Sequence, residues 1–295
     1  MIGALLQSLR PRQWTKNLLL FAGVLFSRQI GDPALALRAA AGFLAFSLLS
    51  GSVYLLNDVS DVEEDRRHPV KRTRPVASGR LPARVALPAL APVLAVVVAL
   101  GLWLGRGFSL VAGIYLVVNL AYTFFLKKQV LIDVFVIAGG FVLRAVAGVE
   151  LLLPVSPGTQ LSPWLLMCTF FGALFIALGK RGRELANAGE HASTKRAVLE
   201  HYTPQLVDGL LLIAAAASVM SYSLYTIWPD TVAKFGTDHL LWTVPIVAYG
   251  IFRYLYLVWA ARGSEDPSQV LLTDRPLAAC VLLYLAAVLL ILYRA

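Results

Sequence analysis

Oxygen-bearing side chains are concentrated in one short stretch, from Asn57 to Asp65, and a strongly basic stretch, residues 66–84, follows it directly. If the stretch is helical, Asn57, Asp61 and Asp65 share one face at spacings of four residues, with Asp58 one step around the helix. Carboxylate and amide oxygens suit Mg²⁺, which one or two protein carboxylates usually hold while water and substrate phosphates complete its shell. The stretch therefore predicts a Mg²⁺ and diphosphate site, with Asn57, Asp61 and Asp65 as metal ligands and Asp58, Asp61 and Asp65 as catalytic residues.

The alternative for an acidic run is an ordinary solvated helix face. Here Asn57 and Asp58 come directly after a long apolar segment, at a membrane boundary where an uncompensated charge is costly and usually functional. The same loop carries cations that can neutralise the phosphate oxygens that a metal leaves uncovered, namely Lys71, Arg72 and Arg74.

The composition is that of an integral membrane protein, because 58% of the residues are hydrophobic and 15% are charged, with a mean hydropathy of +0.72. A span needs about 20 mostly apolar residues. The pattern predicts an all-α, polytopic chain that forms a single catalytic domain over residues 1–295. The nine predicted spans are residues 17–30, 36–57, 83–104, 107–126, 130–150, 163–179, 205–228, 239–260 and 276–293.

The positive charges are placed asymmetrically along this topology. With the N-terminus inside, 19 of the 26 Lys and Arg residues fall in cytoplasmic segments, as the positive-inside rule requires. Loops 58–82 and 180–204 are then cytoplasmic and cap the predicted site, and the C-terminus lies outside. The net charge of +9 comes without a nucleic-acid motif, so anionic lipid and anionic substrates explain it better than nucleic acid.

Two single cations within or beside spans have competing interpretations. Arg144 lies deep in a predicted helix, where an arginine costs about 2.5 to 3.5 kcal/mol on insertion scales. We expect it to contact the lipid phosphate or cavity water, with Asp133 as an alternative structural partner. Lys127 is either a direct phosphate contact or a cation that marks the cytoplasmic end of a span.

The motif around these residues resembles the first signature of the UbiA prenyltransferase superfamily. Asn57 to Asp65 and His68 to Gly79 supply every position of Asn-Asp-x-x-Asp-x-x-x-Asp followed by His-Pro-x-x-Arg-x-Arg-Pro-x-x-Ser-Gly, and Tyr122 with Lys127 extends the match. The resemblance implies nine transmembrane helices around a central cavity. It further implies Mg²⁺-bound diphosphate at the cytoplasmic mouth and a lipid chain that leaves sideways between helices.

The second loop departs from superfamily members that prenylate aromatic acceptors, which carry a second Asp-x-x-x-Asp pair there. Residues 179–204 contain no aspartate and instead supply Lys180, Arg181 and Glu184. With the opening run from Arg10 to Asn17, this pattern is similar to the branch that transfers phosphoribose to decaprenyl phosphate. That resemblance implies 5-phosphoribosyl 1-diphosphate as donor, a polyprenyl (decaprenyl) phosphate as acceptor, and a product used for the arabinan of cell-wall arabinogalactan.

Under this hypothesis each predicted substrate-binding group has a place. Lys16, Tyr122 and Lys127 contact phosphate directly, and the three cations of the first loop close over the diphosphate. The second loop offers Lys180 and Arg181 to the ribose 5-phosphate, with Glu184 beside them, because a cationic loop suits a donor that carries an extra phosphate.

Two other functions remain as alternatives. A prenyltransferase acting on an aromatic acceptor would use the same first motif, but the loop without aspartate argues against it. A transporter of polyprenyl-linked sugars fits nine spans and a basic face, yet gives no reason for the acidic row. The length of the acceptor lipid and a homo-oligomeric state are left open by the sequence.

Overall fold

The structure is a computed structural model that describes residues 1–27, 31–159, 161–187, 197–260 and 273–294. Within these ranges all regular elements are helices, which confirms the predicted all-α class. The α-helices are α1 (Ile2–Ser8), α2 (Ala22–Phe26), α3 (Pro33–Ser60), α4 (Val62–Arg67), α5 (Ala83–Leu104), α6 (Arg106–Phe124), α7 (Ile132–Glu150), α8 (Pro163–Asn187), α9 (Pro204–Ile227), α10 (Pro229–Phe235), α11 (Val244–Ala260) and α12 (Arg275–Arg294).

Eight of the described helices are long and apolar enough to cross a membrane. They are α3, α5, α6, α7, α8, α9, α11 with its preceding 3₁₀ turn His239–Thr243, and α12. Each corresponds to one predicted span, so the multi-span character of the chain is confirmed. Two of them are longer than predicted by several residues: α3 begins at Pro33 and ends at Ser60, and α8 continues to Asn187.

The first predicted span, residues 17–30, has a different structure. A 3₁₀ helix of 11 residues, Pro11–Phe21, leads into the five residues of α2. A 3₁₀ helix rises about 2.0 Å per residue against 1.5 Å in an α-helix, so the two pieces together reach about 30 Å, the thickness of a bilayer core. The segment is not among the eight described helices that are long and apolar enough to cross a membrane, and its first residues include Arg12, Gln13 and Lys16. The predicted count of nine is consistent with the structure when this segment is included.

Contacts divide the chain into two compact units. The first contains Met1–Leu126 and Gly140–Leu161, and the second contains Lys127–Gly139 and Ser162–Ala295. The prediction of a single catalytic domain stays a prediction.

The core of the first unit packs around α3. The Phe46 ring lies 5.6 Å from that of Phe108 and 5.2 Å from that of Tyr115, and all three side chains are buried. The 3₁₀ segment packs tightly against α7, because a side-chain carbon at Gly148 would collide with the main chain at Leu20. The segment is therefore built into the bundle of this unit.

The first turns of α3, at the end away from Asp58, carry a buried cation. The Arg38 side chain is buried, and it donates to the main-chain carbonyls of Leu151, at 2.6 Å, and of Leu104. Leu104 is the last residue of α5, where carbonyls lack partners and the helix dipole is negative. Arg38 therefore closes a helix end and lies about 30 Å along α3 from Asp58.

The second unit contains the helices from α8 to α12. The Phe175 and Tyr254 rings meet at 5.0 Å between α8 and α11. Arg253 of α11 makes two hydrogen bonds to Asp274, which precedes α12: Nε to Oδ1 is 3.2 Å and Nη2 to Oδ2 is 2.8 Å. An arginine inside a span is thus matched by a carboxylate at the next helix start.

Candidate functional site

The oxygen ligands predicted from the sequence keep helical register through a bend. The main-chain nitrogen of Asp61 donates to the carbonyl of Asn57 at 2.9 Å, and that of Asp65 donates to the carbonyl of Asp61 at 2.8 Å. The bend lies at Asp61, where α3 ends and α4 begins, with φ −99° and ψ 16°. Asn57, Asp61 and Asp65 therefore follow one another at successive turns, as the spacing predicted.

Two carboxylates of this stretch are buried within an ionic cluster. Asp58 and Asp65 are 1% and 2% exposed. Arg74 Nη1 bridges them, at 3.1 Å from Asp58 Oδ1 and 2.6 Å from Asp65 Oδ2. Arg10 also pairs with Asp58, and Lys71 Nζ lies 3.8 Å from Asp65 Oδ1. Two buried negative charges are thus surrounded by three cations, so they orient positive charge and are not exposed proton acceptors.

Asn57 and Asp61 differ from this buried pair because both are half-buried. Among the described residues, no group of three or more His, Cys, Asp or Glu side chains forms a ready metal cage. The donor set fits Mg²⁺ nevertheless, since this ion usually takes only one or two protein carboxylates and completes its octahedral shell with water and phosphate. Asn57 and Asp61 offer one amide and one carboxylate at half-buried positions, whereas Asp65 would join them only by exchanging its contacts to Arg74 and Lys71 for the metal.

The basic part of the first loop is folded onto the acidic part. His68 Nδ1 accepts hydrogen bonds from the main-chain nitrogens of Val70, at 3.2 Å, and Lys71, at 3.4 Å, at the start of a 3₁₀ turn, Lys71–Thr73. The side chain of Arg72 is exposed. Local turn chemistry therefore directs Lys71 toward Asp65 and leaves Arg72 at the surface.

Arg144, predicted to contact a lipid phosphate, lies in a buried network of the first unit with 5% exposure. Its Nε donates to Asn17 Oδ1 at 2.7 Å, Nη1 to the carbonyl of Gly140 at 2.7 Å, and Nη2 to Tyr115 Oη at 2.8 Å. Asn17 is fully buried and donates in turn to Ser47 Oγ at 3.1 Å. Arg144 thus fixes the 3₁₀ segment against α3 and α7.

Lys16 directly precedes Asn17, so the Arg144 network holds the main chain beside Lys16, whose side chain is half-buried. Tyr122 is half-buried near the end of α6. Lys127 is half-buried on the 3₁₀ turn Leu126–Lys128. Their predicted phosphate contacts stay predictions.

The second predicted loop, residues 180–204, is partly helical. The last turns of α8 hold Lys180, Arg181 and Glu184, and a 3₁₀ turn, Ala197–His201, precedes α9. Arg181 and Glu184, three residues apart, form an ion pair on the helix, which favours continued helix beyond the apolar span. Lys195 and Arg196 lie outside the described residues.

Arg181, predicted to bind the ribose 5-phosphate, is only 1% exposed. Its Nε donates to Asp133 Oδ2 at 2.7 Å, and its Nη1 donates to Glu184. The alternative that Asp133 partners Arg144 is wrong, because the fully buried Asp133 binds Arg181 and, at 2.7 Å, the hydroxyl of Tyr202. Lys180, next to Arg181, is half-buried.

Tyr202 is the member of this network that the sequence did not point to. Burial, and then the hydrogen bond to Asp133, raise the pKa of Tyr202 well above its usual value, so the phenol stays a proton donor at neutral pH. Asn17 and the pairing of Arg10 with Asp58 were also missed. For Asp133 a signal existed, because a carboxylate near the start of one span requires a cation, and Arg181 lies just past the predicted end of another.

Comparison with known proteins gives one family. The family model described as the UbiA prenyltransferase family matches residues 17–273. The decaprenyl-phosphate phosphoribosyltransferase of Mycolicibacterium smegmatis is 34% identical over 98% of this chain and 92% of its own length. That of Corynebacterium glutamicum is 34% identical over 98% of this chain and 86% of its own length.

A solved structure shares the fold. The UbiA homolog from Archaeoglobus fulgidus bound to DMAPP and Mg²⁺ superposes with a TM-score of 0.74. The two sequences are 18% identical, and the match covers 98% of each chain. This likeness, at low identity, concerns the fold.

Proposed function

Because the chain belongs to the UbiA prenyltransferase family, we propose that it is a membrane phosphoribosyltransferase. It moves 5-phosphoribose from 5-phosphoribosyl 1-diphosphate to a polyprenyl phosphate such as decaprenyl phosphate, and releases diphosphate. The observation that carries this proposal is the 34% identity, over 98% of the chain, with enzymes named for that reaction.

The charge of the second loop supports the choice of donor. Residues 179–204 contain no aspartate and five Lys or Arg residues, Lys180, Arg181, Arg183, Lys195 and Arg196. A second metal held by paired aspartates has no ligands in such a loop. A donor with a 5-phosphate adds negative charge that a cationic loop stabilises.

The acidic stretch of the first unit supports a leaving-group site. Asn57, Asp61 and Asp65 would hold Mg²⁺, which supplies positive charge to the diphosphate as the bond from ribose C1 breaks. The buried Asp58 holds Arg10 and Arg74, so that two guanidinium groups are in place before the substrate arrives. Preorganised charge of this kind requires no rearrangement during the reaction.

The remaining cations divide between the phosphates of the donor. Lys71, Arg72 and Arg74 close over the diphosphate, and Lys16, Tyr122 and Lys127 contact phosphate oxygens directly. Lys180 binds the 5-phosphate, whereas Arg181 and Glu184 shape that subsite through their partly buried ion pair. Arg144 contributes through Asn17, by fixing the segment that carries Lys16.

The acceptor needs little activation. A phosphate monoester is ionised at neutral pH, so its oxygen attacks ribose C1 without a strong general base. The new bond joins that oxygen to C1, the bond from C1 to the diphosphate oxygen breaks, and the electron pair leaves with diphosphate. Attack from the face opposite the leaving group inverts the configuration at C1.

The location of the enzyme follows from its charge and its lipid substrate. We propose a bacterial cell membrane, with the N-terminus and both loops in the cytoplasm and the C-terminus outside, since 19 of 26 cations then lie inside. The product, a lipid-linked phosphoribose, would enter synthesis of the arabinan precursor for the cell wall.

The test is a matrix of donors and acceptors with the purified chain in lipid nanodiscs. Ribose-labelled 5-phosphoribosyl 1-diphosphate with Mg²⁺ and polyprenyl phosphate is expected to give label in the organic phase, and omission of the acceptor or chelation of Mg²⁺ to abolish it. Label that moves only from an allylic diphosphate to an aromatic acid would replace this function with aromatic prenylation.

A further inference from the structure

The hydroxyl of Tyr202 joins two parts of the second unit. It donates to Asp133 Oδ1 at 2.7 Å and accepts from the main-chain nitrogen of Leu131 at 2.9 Å. The Tyr202 side chain is buried, and it packs with Val198, Val207 and the partly buried Val130. Both functions of one phenol, donor and acceptor, are therefore used at a site closed to solvent.

The main chain at Leu131 has an uncommon conformation. Its φ is +66°, and the nitrogen of Ile132 donates to the carbonyl of Val130 at 2.8 Å. A positive φ with a hydrogen bond between residues two apart describes a γ-turn of the rare, strained kind. Such a conformation persists where surrounding contacts determine it, and the Tyr202 hydroxyl is one such contact.

This turn separates Lys127 from α7. Lys127 lies on the 3₁₀ turn Leu126–Lys128, and α7 begins at Ile132. The conformation of Leu131 therefore sets the direction in which the chain that carries Lys127 leaves the helix.

The anchor for Tyr202 is itself fixed. Asp133 is fully buried, and its second oxygen accepts from Arg181 Nε at 2.7 Å. Arg181 belongs to α8, in the segment that carries Lys180. The same carboxylate thus ties the start of α7, the end of α8 and the chain before α9 to one another.

We propose that Tyr202 is a positioning residue, which acts through the Leu131 turn to fix Lys127 for its contact with the donor phosphate. The proposal rests on the role of Lys127 in the proposed function. Because the phenol binds no substrate, its loss weakens donor binding and leaves the chemical step intact.

The test compares Tyr202→Phe with Tyr249→Phe, a tyrosine of the same unit that is 51% exposed. A hydrogen bond contributes about 0.5 to 1.5 kcal/mol, or up to about tenfold in binding. We expect KM for the donor to rise about five- to tenfold in Tyr202→Phe, with kcat changed less than about twofold, and no change in Tyr249→Phe. A five- to tenfold fall in kcat in Tyr202→Phe without a rise in KM would overturn the proposal.

A double-mutant cycle with Lys127→Met identifies the route. If Tyr202 acts through Lys127, Tyr202→Phe has little further effect on KM in the Lys127→Met background, because coupled residues are not additive. Effects that multiply fully would show that Tyr202 acts by another route and would reject the proposal.

Amide hydrogen exchange tests the contact between Tyr202 and the Leu131 turn without any assay of activity. Peptides covering residues 126–133 are expected to exchange about tenfold faster in Tyr202→Phe than in the wild type, while peptides of α12 keep their rates. Unchanged exchange at residues 126–133 would show that Tyr202 does not hold the Leu131 turn, whatever reaction the protein catalyses. If phosphoribose is not transferred but an allylic diphosphate is used, the proposed function fails, and the same KM cycle is run with that donor.

Discussion

Two ionic clusters among the described residues are built with opposite signs. In the first unit, two buried carboxylates, Asp58 and Asp65, are surrounded by cations. In the second unit, one buried cation, Arg181, lies between the carboxylates of Asp133 and Glu184. These buried charges all have partners of opposite sign, because a buried charge without a partner is strongly unfavourable.

Buried and half-buried groups of these clusters have different expected roles. The buried charges satisfy one another, whereas groups close to them in the sequence are half-buried, and we expect the substrate to contact these half-buried edge groups. These edge groups are Asn57 and Asp61 in the first unit and Lys127 and Lys180 in the second. Loss of an edge group should therefore change kinetics, and loss of a core group should change stability as well.

Asp61→Asn tests the first edge and has the largest expected effect. Turnover should fall about a hundredfold or more, because the variant lacks a carboxylate that would hold the Mg²⁺ neutralising the leaving charge, and loss of such electrostatic stabilisation typically costs 10²- to 10³-fold. The melting temperature should stay near that of the wild type. Glu64→Gln is the matched control, since Glu64 is exposed in the same acidic run. Full activity in Asp61→Asn, measured by product formation, would remove the metal site from this position.

Arg74→Gln tests the first core. It removes the guanidinium that bridges Asp58 and Asp65, and hydrogen bonds to charged groups contribute about 1.5 to 3 kcal/mol. We expect a loss of stability of about that size, measured by thermal unfolding in detergent, together with reduced activity. Arg67→Gln, an exposed cation of the same loop, should leave the unfolding temperature unchanged. Equal unfolding temperatures for Arg74→Gln and Arg67→Gln would show that the buried cluster does not stabilise the fold.

Lys180→Gln tests the second edge. KM for 5-phosphoribosyl 1-diphosphate should rise about tenfold, the equivalent of a lost charge-assisted hydrogen bond. KM for ribose 1-diphosphate, which lacks the 5-phosphate, should not change. Lys128→Gln, which removes an exposed cation of the same unit, serves as control, and an equal rise for both donors would show that Lys180 does not read the 5-phosphate.

Asp274→Asn gives the baseline for an ion pair outside both clusters and has the smallest expected effect. The hydrogen bond from Arg253 holds the pKa of Asp274 below its usual 3.8. The pair therefore stabilises the fold above about pH 3.8, and this contribution is lost as pH falls through the lower, folded-state pKa. The variant should melt slightly earlier than the wild type at pH 7, and the two melting curves should converge in acid. A change in kcat or KM at pH 7 would show that the Arg253–Asp274 pair affects the reaction and is not only structural.

The sequence predicted the elements whose physics is local. Eight predicted spans and the register of Asn57, Asp61 and Asp65 are present, because hydropathy and helical periodicity depend on neighbouring residues. The 3₁₀ segment Pro11–Phe21 was not predicted; it packs against Gly148, which lies far away in the sequence, and local periodicity does not show such a contact.

Pairings between distant residues were not predictable in this way. Arg144 bonds to Asn17, 127 positions away, and Arg181 to Asp133, 48 positions away. A single sequence shows that such charges need partners but not which partner the fold supplies. The phosphate contacts of the individual cations stay predictions for the same reason.

We propose above all that the protein cleaves the bond between ribose C1 and diphosphate and transfers only the phosphoribose to the lipid. A doubly labelled donor tests this most directly. With ¹⁴C in the ribose and ³²P in the diphosphate, Mg²⁺ and polyprenyl phosphate, we predict ¹⁴C in the organic phase and ³²P in the aqueous phase as free diphosphate. Asp61→Asn should slow both movements about a hundredfold or more. Both labels in the organic phase would contradict the account. So would a folded wild-type protein that leaves both labels in unreacted donor.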